Sequence, residues 1–126
     1  PIIATSDYVR AYSQLISSHI NNKFLAMGTD GFGRSDTRKN LRDFFEVDSK
    51  HIVVCSLYSL YEDKKVPLEL LEKAIFYEGD NSNMQFALGL AYVENANLSE
   101  AVAAFRCALE IEPGPQTTVE KPAWLK

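Results

Sequence analysis

Three glycines within six residues, Gly28, Gly31 and Gly33, restrict most strongly how this chain can fold. Glycine weakens helices and strands alike, so we expect residues 28–33 to form a loop. Residues 23–28, which are apolar after Lys23, predict a short buried strand that leads into this loop. After the loop, Ser35 or Asp36 is placed to cap a helix. That helix is predicted to carry Leu41, Phe44, Phe45 and Val47.

The residues before this strand complete a strand–helix–strand unit. Residues 2–4 form a short apolar run that favours a strand, and Asn21 and Asn22 interrupt the pattern before residue 23. Between the two predicted strands, residues 8–20 carry apolar side chains mostly at three- and four-residue steps, which predicts an amphipathic helix. The sequence therefore predicts a βαβ unit with parallel strands and a right-handed crossover. The apolar positions of the helix are Tyr8, Tyr12, Leu15, Ile16 and Ile20.

The rest of the chain predicts helices. Residues 52–61 begin like a strand, but apolar residues continue at helical steps, so we predict a helix. Pro67 opens another helix that runs through Ile75, because the first helical position does not need an amide hydrogen. Residues 84–93 and 99–111 predict two amphipathic helices. The predicted organisation is a first segment at 1–78, a linker at 79–83, a helical hairpin at 84–114 and a tail at 115–126.

Charge and composition exclude several classes of protein. The 126 residues carry a net charge of -4 and no concentrated basic face, which argues against nucleic-acid binding. No apolar run approaches the ~20 residues that span a bilayer, so we predict no membrane insertion. The two cysteines, Cys55 and Cys107, lie far apart in apolar helical patterns. Free cysteines of this kind indicate a reducing compartment, either the cytoplasm or an organelle matrix.

The glycine loop and its surroundings resemble a known family. Residues 28–38 read Gly-Thr-Asp-Gly-Phe-Gly-Arg-Ser-Asp-Thr-Arg, and this motif resembles one in the last domain of homodimeric pyruvate dehydrogenase subunits, which depend on thiamine diphosphate. The resemblance covers about residues 1–77 and implies a transketolase-type C-terminal domain, which supports the dimer. In that family the cofactor is held by the two earlier domains, and their cofactor motifs are not recognisable here. The flanking matches are at residues 6–8, 41–42, 45–48 and 52–54.

A second resemblance covers about residues 81–114. The spacing of eight residues across this segment is similar to that of a single tetratricopeptide repeat, a pair of helices of about 34 residues. The small residues Gly89, Ala101 and Ala108 are expected to let the two helices approach closely. The sequence departs from the pattern at Gln85, where a large aromatic is usual, and at Ala96, where glycine is common. The matching positions are Leu88, Gly89, Ala91, Tyr92, Ala101, Phe105, Ala108 and Pro113.

The polar residues give no catalytic constellation. Alternating charges in a loop and a first helical turn more often form local ion pairs and caps than an active site. His19 and His51 are isolated, and we expect each on a helix surface or half-buried rather than bound to a metal. We therefore predict no catalytic, cofactor-binding or metal-binding residue. The candidate interaction residues are Asp30, Phe32, Arg34, Asp36, Arg38, Tyr92 and Phe105.

These patterns together predict a mainly helical α/β chain: a βαβ unit with further helices, followed by the repeat-like hairpin. A two-stranded parallel sheet leaves unpaired edges, so we expect a protein partner or a homodimer. The predicted function is a non-catalytic assembly or interaction module, derived from the dehydrogenase subunit and needing no cofactor. Two alternatives stay open: a fragment of a pyruvate dehydrogenase whose cofactor domains lie elsewhere, and an engineered or artefactual fusion.

Overall fold

A computed structural model describes residues 1–30, 35–78 and 81–111. Within these ranges the fold is mostly helical with one small parallel sheet, which agrees with the predicted mainly helical α/β class. The sheet consists of β1 (Ile2–Thr5) and β2 (Phe24–Met27). The helices are α1 (Arg10–Gln14), a short 3₁₀ helix (Ser17–His19), α2 (Arg38–Phe44), α3 (Ser49–Glu62), α4 (Leu68–Glu78), α5 (Ser82–Glu94) and α6 (Leu98–Ile111).

The predicted parallel pairing of the two strands is confirmed. Ile2 lies opposite Phe24, and the register continues to Thr5 opposite Met27. Helix α1 contacts both strands, and α3 contacts β1. Ala26 and Met27 are buried, so the end of β2 points into the core.

The helix predicted over residues 8–20 is much shorter in the structure. The carbonyl of Tyr8 accepts a hydrogen bond from the Thr29 amide at 2.9 Å, so Tyr8 is tied to the end of β2, and α1 begins at Arg10. At the other end, the Ser17 hydroxyl donates to the Gln14 carbonyl at 2.7 Å and the chain tightens into the 3₁₀ turn. The prediction was wrong in length because these competing hydrogen bonds are not visible in the apolar period.

Helix α2 is also shorter than the apolar pattern predicts. Its cap is Thr37, whose hydroxyl oxygen accepts from the Asn40 amide at 3.3 Å, rather than Ser35 or Asp36. The helix ends at Phe44, and Glu46 then adopts a φ of 60°, the left-handed conformation that commonly terminates helices. Val47 therefore lies beyond the helix, where it is buried in the core.

Helices α3 to α6 follow the predicted pattern closely. The ambiguous segment at residues 52–61 is helical, within an α3 that Asp48 caps by accepting from the His51 amide at 3.0 Å. Helix α5 begins at Ser82, two residues before the predicted start, since the Asn81 side chain accepts from the amides of Asn83 and Met84.

One hydrophobic core joins the sheet to the first three long helices. It extends from Met27 and Val47 through α3 and α4 into α5. Cys55 lies within it, and burial raises the pKa of its thiol to about 12, so it acts as a small apolar side chain, as predicted. Of the helices that the structure describes, none is long and apolar enough to cross a membrane. The buried members contributed by α3, α4 and α5 are Val54, Cys55, Tyr58, Leu68, Leu71, Ile75, Met84, Ala87, Leu88 and Ala91.

Candidate interaction site

The carboxyl ends of the two parallel strands are tied together directly. The Thr29 hydroxyl donates to the carbonyl of Asp7 at 2.7 Å. A Cβ added to Gly28 would lie 2.5 Å from the carbonyl oxygen of Tyr8, so the first glycine of the motif is needed for this close backbone approach. The carboxyl ends of parallel strands are also where ligands commonly bind in α/β proteins.

Asp30 is held by the first residue of α1. Its carboxylate accepts from the Arg10 amide at 2.9 Å and from the Arg10 Nε at 2.5 Å. Partial burial by itself would raise the pKa of Asp30, but the hydrogen bonds from the Arg10 backbone and side chain outweigh it, and the net pKa is lowered. Asp30 therefore secures the loop to α1 as an ionised carboxylate.

A second ion pair joins the end of β1 to α2. Arg42 donates from Nε and Nη2 to the two carboxylate oxygens of Asp7, at 3.1 and 2.8 Å. The hydrogen bond from Arg42 is the largest cause that lowers the pKa of Asp7. An open groove of about 1020 Å³ runs from here between α2 and the start of α3, and Arg38 and Lys50 also line it. The groove is polar and charged, and the Asp7 carboxylate in its lining is already paired with Arg42.

Of the other candidates in the glycine motif, the structure describes Asp36 and Arg38. Asp36 makes local bonds, since it accepts from the Thr37 amide at 2.7 Å and from the Asn40 side chain at 2.9 Å. Arg38 is exposed at the first position of α2. Phe32 and Arg34 lie outside the described residues. Asp30 is therefore the candidate of this motif that hydrogen-bonds to α1, through the Arg10 amide and side chain.

His51 is buried, which corrects the expectation of a surface or half-buried histidine. Its Nδ1 lies 2.5 Å from the Asp48 carboxylate, and its Nε2 lies 3.4 Å from the Asn81 side-chain nitrogen. The Asn81 oxygen is occupied in capping α5, so its amide nitrogen is the atom that faces His51. This arrangement requires Nε2 to accept and Nδ1 to carry the proton. Sequence reasoning missed this cluster, because Asn81 is 30 residues away from His51 along the chain.

Asp43, Asp48 and His51 also lie close enough to be considered as metal ligands. Their candidate ligand atoms are all within 4.8 Å of one another. The hydrogen bonds argue against that role, since the nitrogen nearest the two carboxylates is the one that must carry a proton. A metal on Nδ1 would force an Nε2–H against the Asn81 amide group. We therefore interpret the cluster as a polar connection between α3 and α5.

Tyr92 of α5 and Phe105 of α6 each contact a neighbouring helix. The Tyr92 hydroxyl is hydrogen-bonded to Glu72 of α4, and burial together with this carboxylate raises its pKa. Phe105 of α6 packs against the backbone of Gly89 and against Phe86, with ring centroids 5.3 Å apart. The two residues are therefore part of the contacts that hold α4, α5 and α6 together, and each is half-buried.

Helix α1 and its flanks form an exposed apolar surface in the described part of the chain. Tyr8, Tyr12, Leu15 and Ile16 were predicted as the apolar face of an amphipathic helix, yet each is between 55% and 72% exposed. Tyr8 and Tyr12 form an edge-to-face pair with ring centroids 6.2 Å apart. We call these four residues the α1 face. Clustered exposed apolar residues of this kind mark interaction surfaces more often than ordinary protein surface.

Comparison with known proteins identifies relatives for about three fifths of the chain. Over 75 residues it is 41% identical to the pyruvate dehydrogenase E1 component of Cupriavidus necator, an alignment that covers 60% of this chain and 8% of that protein. It is 42% identical over 82 residues to the corresponding protein of Haemophilus influenzae, covering 64% of this chain and 9% of the relative. The protein of Escherichia coli K12 is 38% identical over 78 residues.

These similarities support the resemblance to a pyruvate dehydrogenase subunit that the glycine motif predicts. The chain spans less than a tenth of the length of these relatives. No family model matches the chain. No solved structure matches it either.

Proposed function

We propose that this chain is a non-catalytic protein-interaction module, derived from the last domain of a thiamine-diphosphate-dependent pyruvate dehydrogenase subunit. The observation that carries the proposal is the exposed α1 face. Each large apolar side chain left in water forgoes roughly 1.5–3 kcal/mol of burial free energy. Four of them on one short segment indicate a surface that another polypeptide covers.

The polar groups around the glycine loop favour a structural role over a chemical one. Asp7 is paired with Arg42, and Asp30 is paired with Arg10. Each pair holds a loop or strand end against a helix, so the carboxylates are committed to positioning the backbone. The same contacts present the α1 face, because Arg10 begins the helix that carries it. A rigid support of this kind suits a docking surface.

The proposal also gives each of the two segments of the chain a family origin. Residues 1–78 are proposed to descend from the transketolase-type C-terminal domain; the support is the relatives that share about 40% identity over about three fifths of the chain. Helices α5 and α6 are proposed as a tetratricopeptide-like hairpin, supported by buried Ala101 and Ala108 on α6 and by Gly89 against the Phe105 ring. The boundary near residues 79–83 remains a prediction.

A second candidate function is a fragment of a pyruvate dehydrogenase that works only with the remainder of the subunit. The observation that favours it is the coverage, since the chain corresponds to 8–9% of the relatives' length. In this case the α1 face would contact the remaining part of the enzyme rather than a separate partner. Pyruvate dehydrogenase activity that appears only when the chain is combined with the remainder of the subunit would favour this candidate over the proposal.

Association through the α1 face is the direct test of the proposal. We expect the purified chain to form a homodimer by light scattering, and a Tyr12→Ser, Leu15→Ser variant to be monomeric, because two apolar anchors are removed. Phe76→Ser is the matched control, since Phe76 is at least as exposed but lies on α4. A parent chain that stays at its monomer mass of 14.2 kDa over a hundredfold concentration range would refute the homodimer.

A further inference from the structure

His51 is buried and has a hydrogen-bond partner at each of its two ring nitrogens. It lies in the first turn of α3 and is 1% exposed. Its Nδ1 is 2.5 Å from the Asp48 carboxylate, and its Nε2 is 3.4 Å from the side-chain nitrogen of Asn81. Because the Asn81 nitrogen is a donor, the neutral ring satisfies both partners only with its proton on Nδ1.

Asn81 uses both ends of its side-chain amide. The oxygen caps α5, where it accepts from the amides of Asn83 and Met84 at 3.0 and 3.1 Å. These two amides lie in the first turn of the helix, which has no carbonyl of its own to offer them. The nitrogen then faces His51. The orientation of Asn81 that caps α5 is therefore the one that requires an unprotonated Nε2.

Protonation of His51 is incompatible with this arrangement. A charged imidazole carries a proton on both nitrogens, so Nε2 would meet the Asn81 amide group as donor against donor. His51 is almost inaccessible to water, and a buried donor without an acceptor is costly. Rotating the Asn81 side chain by half a turn would give the Nε2 proton an acceptor. The same rotation would turn the oxygen away from the amides of Asn83 and Met84.

The charged groups around the ring are mostly carboxylates. Candidate ligand atoms of Asp43 at the end of α2, Asp48 and His51 all lie within 4.8 Å of one another. Burial by itself would raise the pKa of Asp48, but the hydrogen bonds from His51 outweigh it and the net pKa is lowered. Lys50 also acts on Asp48, but its ammonium group donates to the Glu78 carbonyl of α4 at 3.1 Å. What a protonated ring lacks here is an acceptor at Nε2 rather than a counter-charge.

We propose that protonation of His51 releases the cap of α5 and so loosens the attachment of the α5–α6 hairpin to the rest of the chain. Histidine is the side chain that ordinarily changes charge between pH 5 and 8. The first turn of α5 carries buried Met84, and the Asn83 side chain donates to Glu46 in the connection between α2 and α3. No residue of the α1 face takes part, so the inference goes beyond the proposed function and does not depend on it.

Nuclear magnetic resonance of the full chain between pH 5 and 8 tests the proposal. The ring resonances of His51 report its protonation, and exposed His19 serves as the reference histidine. Hydrogen exchange of the Asn83 and Met84 amides, corrected for the intrinsic effect of pH, reports the cap. We expect their protection to fall by about fivefold as His51 becomes protonated, the factor that a lost N-cap typically represents. The Asn40 amide, which Thr37 caps on α2 without a histidine, should keep its protection.

Two variants separate the cap from other effects of pH. His51→Gln removes the titration, so the protection of both amides should no longer change between pH 5 and 8. Asn81→Asp supplies a carboxylate that can accept from a protonated Nε2 and still cap α5, so protection should persist while His51 titrates at a higher pH. The proposal is overturned if His51 stays neutral down to pH 5, or if it is protonated while both amides keep their protection. An equal loss of protection in His51→Gln would also overturn it. The first two results come from the parent chain, so the test does not require either variant to fold.

Discussion

Gly89 offers the sharpest test of how closely α5 and α6 approach. A Cβ built on this residue would lie 2.5, 2.7 and 2.8 Å from three atoms of the Phe105 ring. Carbon atoms pack comfortably at about 3.5–4.0 Å, so a methyl group at position 89 would require the ring to move by roughly 1 Å. Gly89→Ala therefore has two opposing effects on stability: a steric clash with Phe105 and a gain in helix propensity.

The two effects differ in sign and have comparable size. Replacing glycine by alanine within a helix stabilises it by about 0.8–1.0 kcal/mol. Overpacking a well-fitted contact costs about 1–3 kcal/mol. We expect the clash to prevail, because all three close atoms belong to a ring that is also packed against Phe86. The net loss in the free energy of unfolding should be about 1 kcal/mol.

Urea unfolding followed by circular dichroism measures this difference. With a slope of about 1–3 kcal/mol per molar urea, the midpoint of Gly89→Ala should fall by roughly 0.3–1 M. In a Phe105→Leu background the ring is absent, and the same substitution should instead stabilise by about 1 kcal/mol. Ala103→Gly, at an exposed position of α6, is the control that measures helix propensity in this protein. If Gly89→Ala stabilises the parent chain, the close contact with Phe105 is refuted.

Two further predictions follow from single side chains. Ser59 is fully buried, and its hydroxyl has no hydrogen-bond partner among the described residues. Ser59→Ala should therefore raise the free energy of unfolding, measured in urea, by about 1 kcal/mol. A decrease of similar size would show that the hydroxyl does have a hydrogen-bond partner. The lowered pKa of Asp30 stabilises the fold above the ordinary aspartate value of 3.8 and ceases to do so as pH falls through the lower folded value. The melting temperatures of the parent and Asp30→Asn should therefore differ near neutral pH and converge as pH falls through the lowered pKa of Asp30. A difference independent of pH would contradict the ion pair with Arg10.

Local signals in the sequence were sufficient to predict the type and the order of the strands and long helices. The glycine loop separates β2 from α2, and the helical steps after residue 52 correctly outweighed the β-leaning start of α3. The parallel pairing followed from strand spacing alone, because strands joined by a crossover helix have few other arrangements. These inferences used only neighbours along the chain, which is why they succeeded.

Contacts between distant residues account for what the sequence did not reveal. The apolar period over residues 8–20 shows that one side of the segment is apolar, but it cannot show whether anything covers that side. The start of α1 depends on the hydrogen bond that the Thr29 amide donates to the Tyr8 carbonyl, and the environment of His51 includes Asn81. At Ala96 the sequence showed that alanine replaces the usual glycine, but only the structure shows that this alanine adopts a φ of 61°, a conformation that favours glycine.

The two family resemblances meet near residues 79–83, yet the core does not stop there. Met84, Ala87 and Leu88 of α5 belong to the same buried cluster as Val54 and Leu71 of the preceding helices. Separating the segments would expose these apolar residues on both sides, and the Tyr61–Ala91 hydrogen bond would be lost with them. A boundary between two kinds of sequence therefore need not be a boundary between two folding units. By the same reasoning, the surface proposed to bind a partner, the α1 face, is one that this shared core leaves uncovered.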